Sequence, residues 1–251
     1  MNTTKLTTSI IAILLGVVAF AQGTVSTVVD TTAYRFTDDL IFDSNGNLYC
    51  ADYSGDAVYK MTPNGTVSIF ASGMNTPNGL AFDSNGDLFV CDNIGNAIYK
   101  LNSAGTFIDT FDVTQPSGII KDALSDTMIF TTYGNQSTLQ KLAPNGTVVN
   151  FHAGSPLNGP VGLAYCQNEL YVANFTNREI YRVESDSLVF IAQLPGTGSL
   201  GFLATVGDNL MATAFNTHKL YSIDPVSQTV SLYSGASAGH VNGSVTNALF
   251  T

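Results

Sequence analysis

Residues 40–52 read LIFDSNGNLYCAD, and residues 80–92, forty positions later, read LAFDSNGDLFVCD. The same pattern returns with more divergence in three further stretches: GIIKDALSDTMIFTT at 118–132, GLAYCQNELYVAN at 162–174 and GFLATVGDNLMATA at 201–214. A period of about 40 residues is typical of proteins built by stacking similar structural units. The repeat therefore decides the class of fold.

Each copy continues into two more apolar runs, so that one repeat holds four short strands. In the first copy AVYKM (57–61) is followed by TVSIF (66–70). Asn-Gly dipeptides such as Asn45-Gly46 separate the runs and predict type I′ hairpin turns, in which both central residues have positive φ. A four-stranded antiparallel meander of this length is the size of a propeller blade. The sequence therefore predicts an all-β fold, a β-propeller with five visible blades. A β-sandwich is the alternative, but it does not require a repeat of this period.

The two ends of the repeat array leave the closure of the ring open. Residues 23–29 (GTVSTVV) resemble the outer strand of a blade and are expected to complete the last one, which hides a sheet edge. Residues 237–251 look like the lead-in to a sixth first strand. Two arrangements follow: a sixth blade truncated at the C-terminus, which we favour because the outer strand then has a blade to join, or five blades closed by residues 23–29 or 241–250.

The N-terminus has the pattern of an export signal. Lys5 precedes an apolar run over residues 10–20, and Ala19 and Ala21 form a small-x-small cleavage site. An eleven-residue helix rises only about 16 Å, too little for a bilayer core of roughly 30 Å. We therefore predict a signal peptide over residues 1–21, cut after Ala21, a propeller domain over residues 22–251, and a secreted protein with no membrane span after cleavage.

Composition excludes some partners. Nine Lys and Arg against 19 Asp and Glu give a net charge of −10, which repels nucleic-acid phosphates, so no nucleic-acid partner is expected. The cysteines Cys50, Cys91 and Cys166 are odd in number and have no zinc-site spacing. They are predicted to be buried free thiols.

The segment PNGLAFDSNGDLFVCDNIGNAIYKL (77–101) resembles the NHL-repeat propellers and the related senescence-marker-protein, gluconolactonase and strictosidine-synthase-like propellers. Residues 241–250 (VNGSVTNALF) are similar to the stretch that precedes an NHL blade. The resemblance covers residues 23–251 and implies membership of a six-bladed propeller superfamily. It does not select an activity, because propellers carry many unrelated functions.

The gluconolactonase resemblance implies one divalent cation, Ca²⁺ or Mg²⁺, at the mouth of the central channel. The motif PNGL (77–80) matches the ligand motif of that family, which makes Asn78 the first candidate ligand. Asp38 and Ser117 hold the equivalent positions in the first and third copies and complete the candidate set. The alternative role for Asn78 is to cap the backbone of a Pro-Asn-Gly turn.

These residues favour a binding function over catalysis. Lactone hydrolysis needs a polarised carbonyl, an activated water and a general base. The resemblance places Ser117 where the family has an acidic ligand and base, and the equivalent Val161 and Leu200 cannot coordinate a hard cation. We predict a module that binds a small-molecule or protein ligand at the channel mouth. A metal-dependent lactone or ester hydrolase remains the alternative, so whether the chain is an enzyme stays open.

Three polar residues recur at the end of the second strand of their copies: Asp52, Asp92 and Asn174. Asp and Asn side chains readily accept hydrogen bonds from nearby backbone N–H groups. They are expected to cap the loops that follow rather than to line the channel.

Overall fold

The structure, a computed structural model, describes residues 23–28, 34, 38–134 and 136–250. In these residues the chain forms five four-stranded antiparallel sheets and one two-stranded sheet. No helix of the described residues is long and apolar enough to cross a bilayer. The predicted signal peptide, residues 1–21, lies outside the described residues.

The strands follow the repeat in chain order, and each four-stranded sheet is one blade. The first strand of the chain is β1 (Thr24–Val25). Blade 1 contains β2 (Leu40–Phe42), β3 (Leu48–Ala51), β4 (Ala57–Met61) and β5 (Val67–Ser72). Blade 2 contains β6 (Pro77–Phe82), β7 (Leu88–Asp92), β8 (Ala97–Leu101) and β9 (Phe107–Asp112). Blade 3 contains β10 (Pro116–Lys121), β11 (Met128–Thr132), β12 (Thr138–Leu142) and β13 (Val148–Ala153). Blade 4 contains β14 (Pro160–Cys166), β15 (Glu169–Asn174), β16 (Glu179–Val183) and β17 (Leu188–Gln193). Blade 5 contains β18 (Ser199–Val206), β19 (Asn209–Phe215), β20 (Lys219–Asp224) and β21 (Thr229–Ser234), and the last strand is β22 (Gly243–Ser244).

The blades confirm the predicted all-β propeller of four-stranded meanders. Neighbours in sequence are neighbours in every sheet, and the register repeats: Leu40 pairs with Cys50 in blade 1, as Leu80 pairs with Val90 in blade 2. The first strands of blades 2, 3, 4 and 5 contact one another in succession, which places them around the central axis.

The hairpin turns differ from the predicted type I′. In the first turn Gly46 has a φ of 79°, whereas Asn45 does not have positive φ. The Gly46 N–H donates to the carbonyl of Asp43 at 3.0 Å. The Asp43 carboxylate accepts the N–H groups of Asn45 and Asn47, both at 2.9 Å. These bonds hold a type I turn that ends in a left-handed glycine, so the type I′ prediction is wrong.

The apolar core lies between the blades. Four clusters of buried side chains fill the junctions between blades 1 and 2, 2 and 3, 3 and 4, and 4 and 5. Because side chains alternate along a strand, each blade supplies one face to each neighbour. In β6, for example, Leu80 packs toward blade 1 and Ala81 toward blade 3.

Blades 1 and 5 each have one face that none of the four clusters covers, and apolar side chains are exposed there. Leu40 and Phe42 of β2 are 54% and 65% exposed, and Val206 of β18 is 64% exposed. The short strand β1 pairs with β22, in the register Thr24 with Ser244. Residues 23–29 were expected to form the outer strand of a blade, but the strand described there, Thr24–Val25, pairs with β22 near the C-terminus and does not join a four-stranded sheet.

All three cysteines are free and buried, as predicted. Burial raises the pKa of the Cys50 thiol to about 12, with smaller contributions from nearby carboxylates. The thiols therefore act as small apolar side chains.

Candidate ligand-binding site at the channel mouth

The start of the first strand and the end of the second lie together at one end of each blade. Pro77 pairs with Asp92 in blade 2, and Pro116 pairs with Thr132 in blade 3. The candidates Asn78 and Ser117 are the second residues of β6 and β10, and Asp38 lies two residues before β2. The structure thus places all three at the same end of neighbouring blades, Asn78 and Ser117 within first strands and Asp38 just before one.

Asp39, which the sequence analysis missed, joins the first two blades. One carboxylate oxygen accepts the N–H of Leu80 in blade 2 at 2.8 Å. The other accepts the N–H of Leu40 at 2.9 Å. A signal was present in the repeat, because Asp39 stands where the other four copies carry glycine: Gly79, Gly118, Gly162 and Gly201.

The adjacent carboxyl groups of Asp38 and Asp39 have raised pKa values. Burial, and then the negative charge of Asp39, raise the pKa of Asp38 to about 8. Burial raises the pKa of Asp39 to about 7, although the hydrogen bonds from Leu80 and Leu40 act in the opposite direction. Two neighbouring carboxyls titrate as a coupled pair, and a positive charge beside them would favour their ionised forms.

Asn78 supplies a buried acceptor without a donor. The residue is 6% exposed, and among the described residues its Oδ1 is one of two buried side-chain N or O atoms that have no hydrogen-bond partner. The oxygen therefore does not cap a turn, which was the alternative role for this residue. A buried polar atom left unpaired costs about 1–3 kcal/mol, so such an atom calls for an explanation, and a missing ligand is one.

The equivalent positions in the other blades are less polar. Ser117 is buried, and its carbonyl oxygen would lie 2.3 Å from a Cβ at Gly79. Val161 and Leu200, at the equivalent positions of blades 4 and 5, are buried as well. The polar side of the site is thus formed by blades 1, 2 and 3.

Aromatic side chains at or just after the ends of the second strands form a rim at the same end. The rings of Tyr133 and Phe175 meet edge to face, with centroids 5.9 Å apart. Phe175 and Phe215 follow at 5.8 Å. The N–H of Leu200 donates to the carbonyl of Phe175 at 3.2 Å, which connects the rim to the first strand of blade 5.

Glycine at position 159 makes room for this rim. A Cβ there would lie 2.9 Å from the ring of Tyr133. In blade 1 the corresponding aromatic residue is Tyr53, which is 45% exposed. Burial raises the pKa of Tyr53, and the charges of Asp38 and then Tyr133 raise it further, so Tyr53 lies in the electrostatic field of both residues. We call Tyr53, Tyr133, Phe175 and Phe215 the aromatic rim.

The predicted loop caps hold the loops near this rim. The carboxylate of Asp92 accepts the N–H groups of Asn75 and Thr76 at 2.8 Å and that of Gly95 at 3.0 Å. Asn174 accepts from Asn158 N–H at 3.0 Å and donates to the Pro156 carbonyl at 2.9 Å. In blade 1, Asp52 accepts the N–H of Ser54 at 3.2 Å. The prediction that these residues cap the loops that follow them is confirmed for Asp52 and Asp92, whereas the side chain of Asn174 holds the loop that precedes β14.

The oxygens present are of the kind that hard cations accept. Asp38, Asn78 and Ser117 offer a carboxylate, an amide and a hydroxyl oxygen, and Asp39 adds a second carboxylate that is already bonded to backbone N–H groups. The described residues contain no group of three or more His, Cys, Asp or Glu side chains that could hold a metal ion. A cation here would therefore depend on the neutral ligands Asn78 and Ser117.

Five stacked blades with a polar and aromatic mouth define the chain as a β-propeller with a candidate axial site. No family model matches the sequence, and no curated protein matches it. Solved structures do match. Virginiamycin B lyase from Staphylococcus aureus is 18% identical, with a TM-score of 0.64, over 77% of this chain and 68% of that one. A chain of a nidogen/laminin complex is 18% identical, with a TM-score of 0.69, over 76% of both chains.

A gluconolactonase from Xanthomonas campestris is also similar, at 17% identity and a TM-score of 0.63, over 82% of this chain and 74% of that one. Likeness at this level of identity shows the fold. The expectation of an NHL- and gluconolactonase-like propeller fold is confirmed.

Proposed function

We propose that the chain is a non-catalytic binding module that takes a small-molecule or protein ligand at the channel mouth. The observation that carries this proposal is the unpartnered, buried Asn78 Oδ1, which lies at the same end of the blades as the Asp38–Asp39 pair and in the strand that Asp39 bonds through the Leu80 N–H. Polar groups that are buried, unpaired and shifted in pKa are typical of ligand sites. A protein ligand is included because the similar nidogen chain was solved in a complex with laminin.

Calorimetric titration of Ca²⁺ into the full chain tests this site, with the metal alone as the probe. We expect weak binding, with a dissociation constant on the order of 1 mM, because few charged ligands are available. Asp38→Asn and Asn78→Ala should abolish the heat, whereas the exposed control Asp186→Asn should retain it. Absence of heat from the unaltered chain, or equal heat from all variants, would remove the site from this end of the propeller.

The second candidate is a metal-dependent hydrolase of lactones or similar esters. The positions of Asp38 and Asn78, together with the likeness in fold to a gluconolactonase, favour it. Asp38, Asn78 and Ser117 would hold Ca²⁺ or Mg²⁺, which supplies Lewis-acid polarisation of a carbonyl when bound. Neither nearby carboxylate is then free to act as the general base, because Asp38 would be a metal ligand and both Asp39 oxygens already accept backbone N–H groups. This candidate stands second because no residue is assigned as the general base.

Hydrolysis of δ-gluconolactone in the presence of Ca²⁺ or Mg²⁺, followed in a pH-stat, separates the two candidates. The binding proposal expects a rate equal to the buffer background. Turnover that disappears in Asn78→Ala and persists in Asp186→Asn would establish the hydrolase instead.

We also propose that the chain is exported and cut after Ala21. The charged residue Lys5 and the apolar run over 10–20 support this proposal. N-terminal sequencing of the protein recovered from the medium or periplasm should start at Gln22. An intact Met1 on the mature protein would contradict it.

A further inference from the structure

We propose that the ligand of this site is an organic cation, with its ammonium group against Asp38 and Asn78 and its substituents against the aromatic rim. This inference rests on the proposed binding function and names the chemical class of the ligand. It joins two features that the metal interpretation does not use together: the polar side with its unpaired Asn78 Oδ1 and the chain of aromatic rings.

The polar side of the site offers carboxyl groups and lone pairs. Asp38 and Asp39 are adjacent carboxyls, both oxygens of Asp39 accept backbone N–H groups, and Asn78 Oδ1 is a buried acceptor without a partner. A neutral ligand can donate a hydrogen bond to these oxygens. A positively charged ligand is in addition attracted by the carboxylate charge. The polar side therefore selects a cation over a neutral ligand.

The aromatic rim selects an organic cation over a metal ion. The faces of Tyr and Phe rings attract ammonium groups, and several rings around one cation form the cage that binds quaternary ammonium ligands. Phe215 is 56% exposed and Tyr53 is 45% exposed, so ring surface is available to a ligand. Aromatic rings are poor ligands for Ca²⁺ or Mg²⁺, which take oxygen. A metal ion would not use the aromatic rim, whereas the substituents of an organic cation would contact it.

Among the described residues, one positive side chain close to the rim in sequence is held by backbone groups. In blade 4, Arg178 lies three residues after Phe175. Its guanidinium donates to the carbonyls of Leu194 and Gly198, both at 3.2 Å. Arg178 is thus held by the backbone of the loop between blades 4 and 5.

The test compares choline with its neutral isostere 3,3-dimethylbutan-1-ol on the full chain, by NMR titration. We expect choline to bind at least about 10-fold more tightly. Asp38→Asn, which keeps the shape of the side chain, should remove this preference. Phe215→Ala should weaken choline binding by roughly 2- to 5-fold. Phe190→Ala is the matched control, because Phe190 is 48% exposed on the outer strand of blade 4, and it should change nothing.

The other outcomes overturn the inference in distinguishable ways. Equal binding of choline and the alcohol would exclude a cation requirement. Equal effects of Phe215→Ala and Phe190→Ala would exclude the rim. Absence of choline binding with Ca²⁺ binding that depends on Asp38 would reject the organic cation and leave the proposed site standing. Absence of both would reject the site as well.

Discussion

The first strands of blades 1 and 2 have nearly the same sequence and very different surroundings. Leu40 in β2 is 54% exposed, whereas Leu80, its equivalent in β6, is 2% exposed and packs against blade 1. The repeat therefore predicts the blade, but the position in the ring decides what each face contacts. Residues at the same position of the repeat therefore contribute differently to the stability of the fold.

The residue just before each of these leucines also differs between the two blades. Gly79 allows β6 to approach the next blade so closely that a Cβ would lie 2.3 Å from the Ser117 carbonyl oxygen. Asp39 holds that position in blade 1, and its carboxylate reaches the Leu80 N–H instead. The candidate site thus lies at the junction where the glycine pattern is broken.

The largest expected contrast is between Leu80→Ala and Leu40→Ala. Truncation of the buried Leu80 should destabilise the fold by about 2–5 kcal/mol, because it leaves a cavity between blades 1 and 2. The same change at the exposed Leu40 should cost less than about 1 kcal/mol. Urea unfolding measures both. A loss at Leu40 as large as that at Leu80 would show that another surface covers this face in solution.

Gly79→Ala should have the next largest effect. The added Cβ meets backbone atoms of Ser117, Gly118 and Ile119 within 3.0 Å, so blades 2 and 3 must separate. We expect a loss of about 3 kcal/mol, at the upper end of the range for overpacking.

Gly86→Ala controls for the effect of backbone conformation. Gly86 has a φ of 82° and nothing within 4 Å of its Cβ position, so the substitution should cost only about 1 kcal/mol. Equal losses in urea unfolding at the two positions would contradict the importance of close approach between first strands.

The blades were predictable from sequence because their signals are local. Strands of alternating character recur about every forty residues, with Asn-Gly turns in several copies, and the positions of Asn78 and Ser117 follow from that alignment. The turn type was missed because the Asp43 side chain, two residues before Asn45, decides it through its bonds to backbone N–H groups.

The rest of the site depends on contacts between blades. The rings of Tyr133, Phe175 and Phe215 hold corresponding positions in three copies of the repeat, but their edge contacts depend on how the blades stack and are not visible in the sequence. The role of Asp39 required knowledge that its carboxylate reaches Leu80 in the next blade. Only its departure from the glycine of the other copies was visible in the sequence.

Asp39→Ala tests the bridge between blades 1 and 2. The Leu80 N–H loses its acceptor, which should cost about 1–2 kcal/mol in urea unfolding at pH 5. Asp39→Asn retains one acceptor oxygen and should cost less. Asp186→Ala, at an exposed position, should stay within about 0.5 kcal/mol of the unaltered chain. Equal stability of the Asp39→Ala and Asp186→Ala variants would contradict the bridging role.

A pH dependence of stability comes from the same pair and develops over several pH units. The folded-state pKa values of about 8 for Asp38 and about 7 for Asp39 lie above the ordinary value of 3.8. The folded chain therefore retains protons that the unfolded chain releases, and this pair contributes stability below pH 4 that is lost as the pH rises to 8. The slope is at most about 1.4 kcal/mol per pH unit for each proton.

The double variant Asp38→Asn/Asp39→Asn isolates this contribution. Its unfolding free energy should fall less between pH 5 and pH 8 than that of the unaltered chain. The carboxyls with lowered pKa, such as those of Asp43 and Asp126, act in the opposite direction and only as the pH falls toward 4, so they do not obscure this window. An unchanged slope in the variant would mean that the two carboxyls are ionised in the folded chain at neutral pH, because solvent or a bound cation already stabilises their charge.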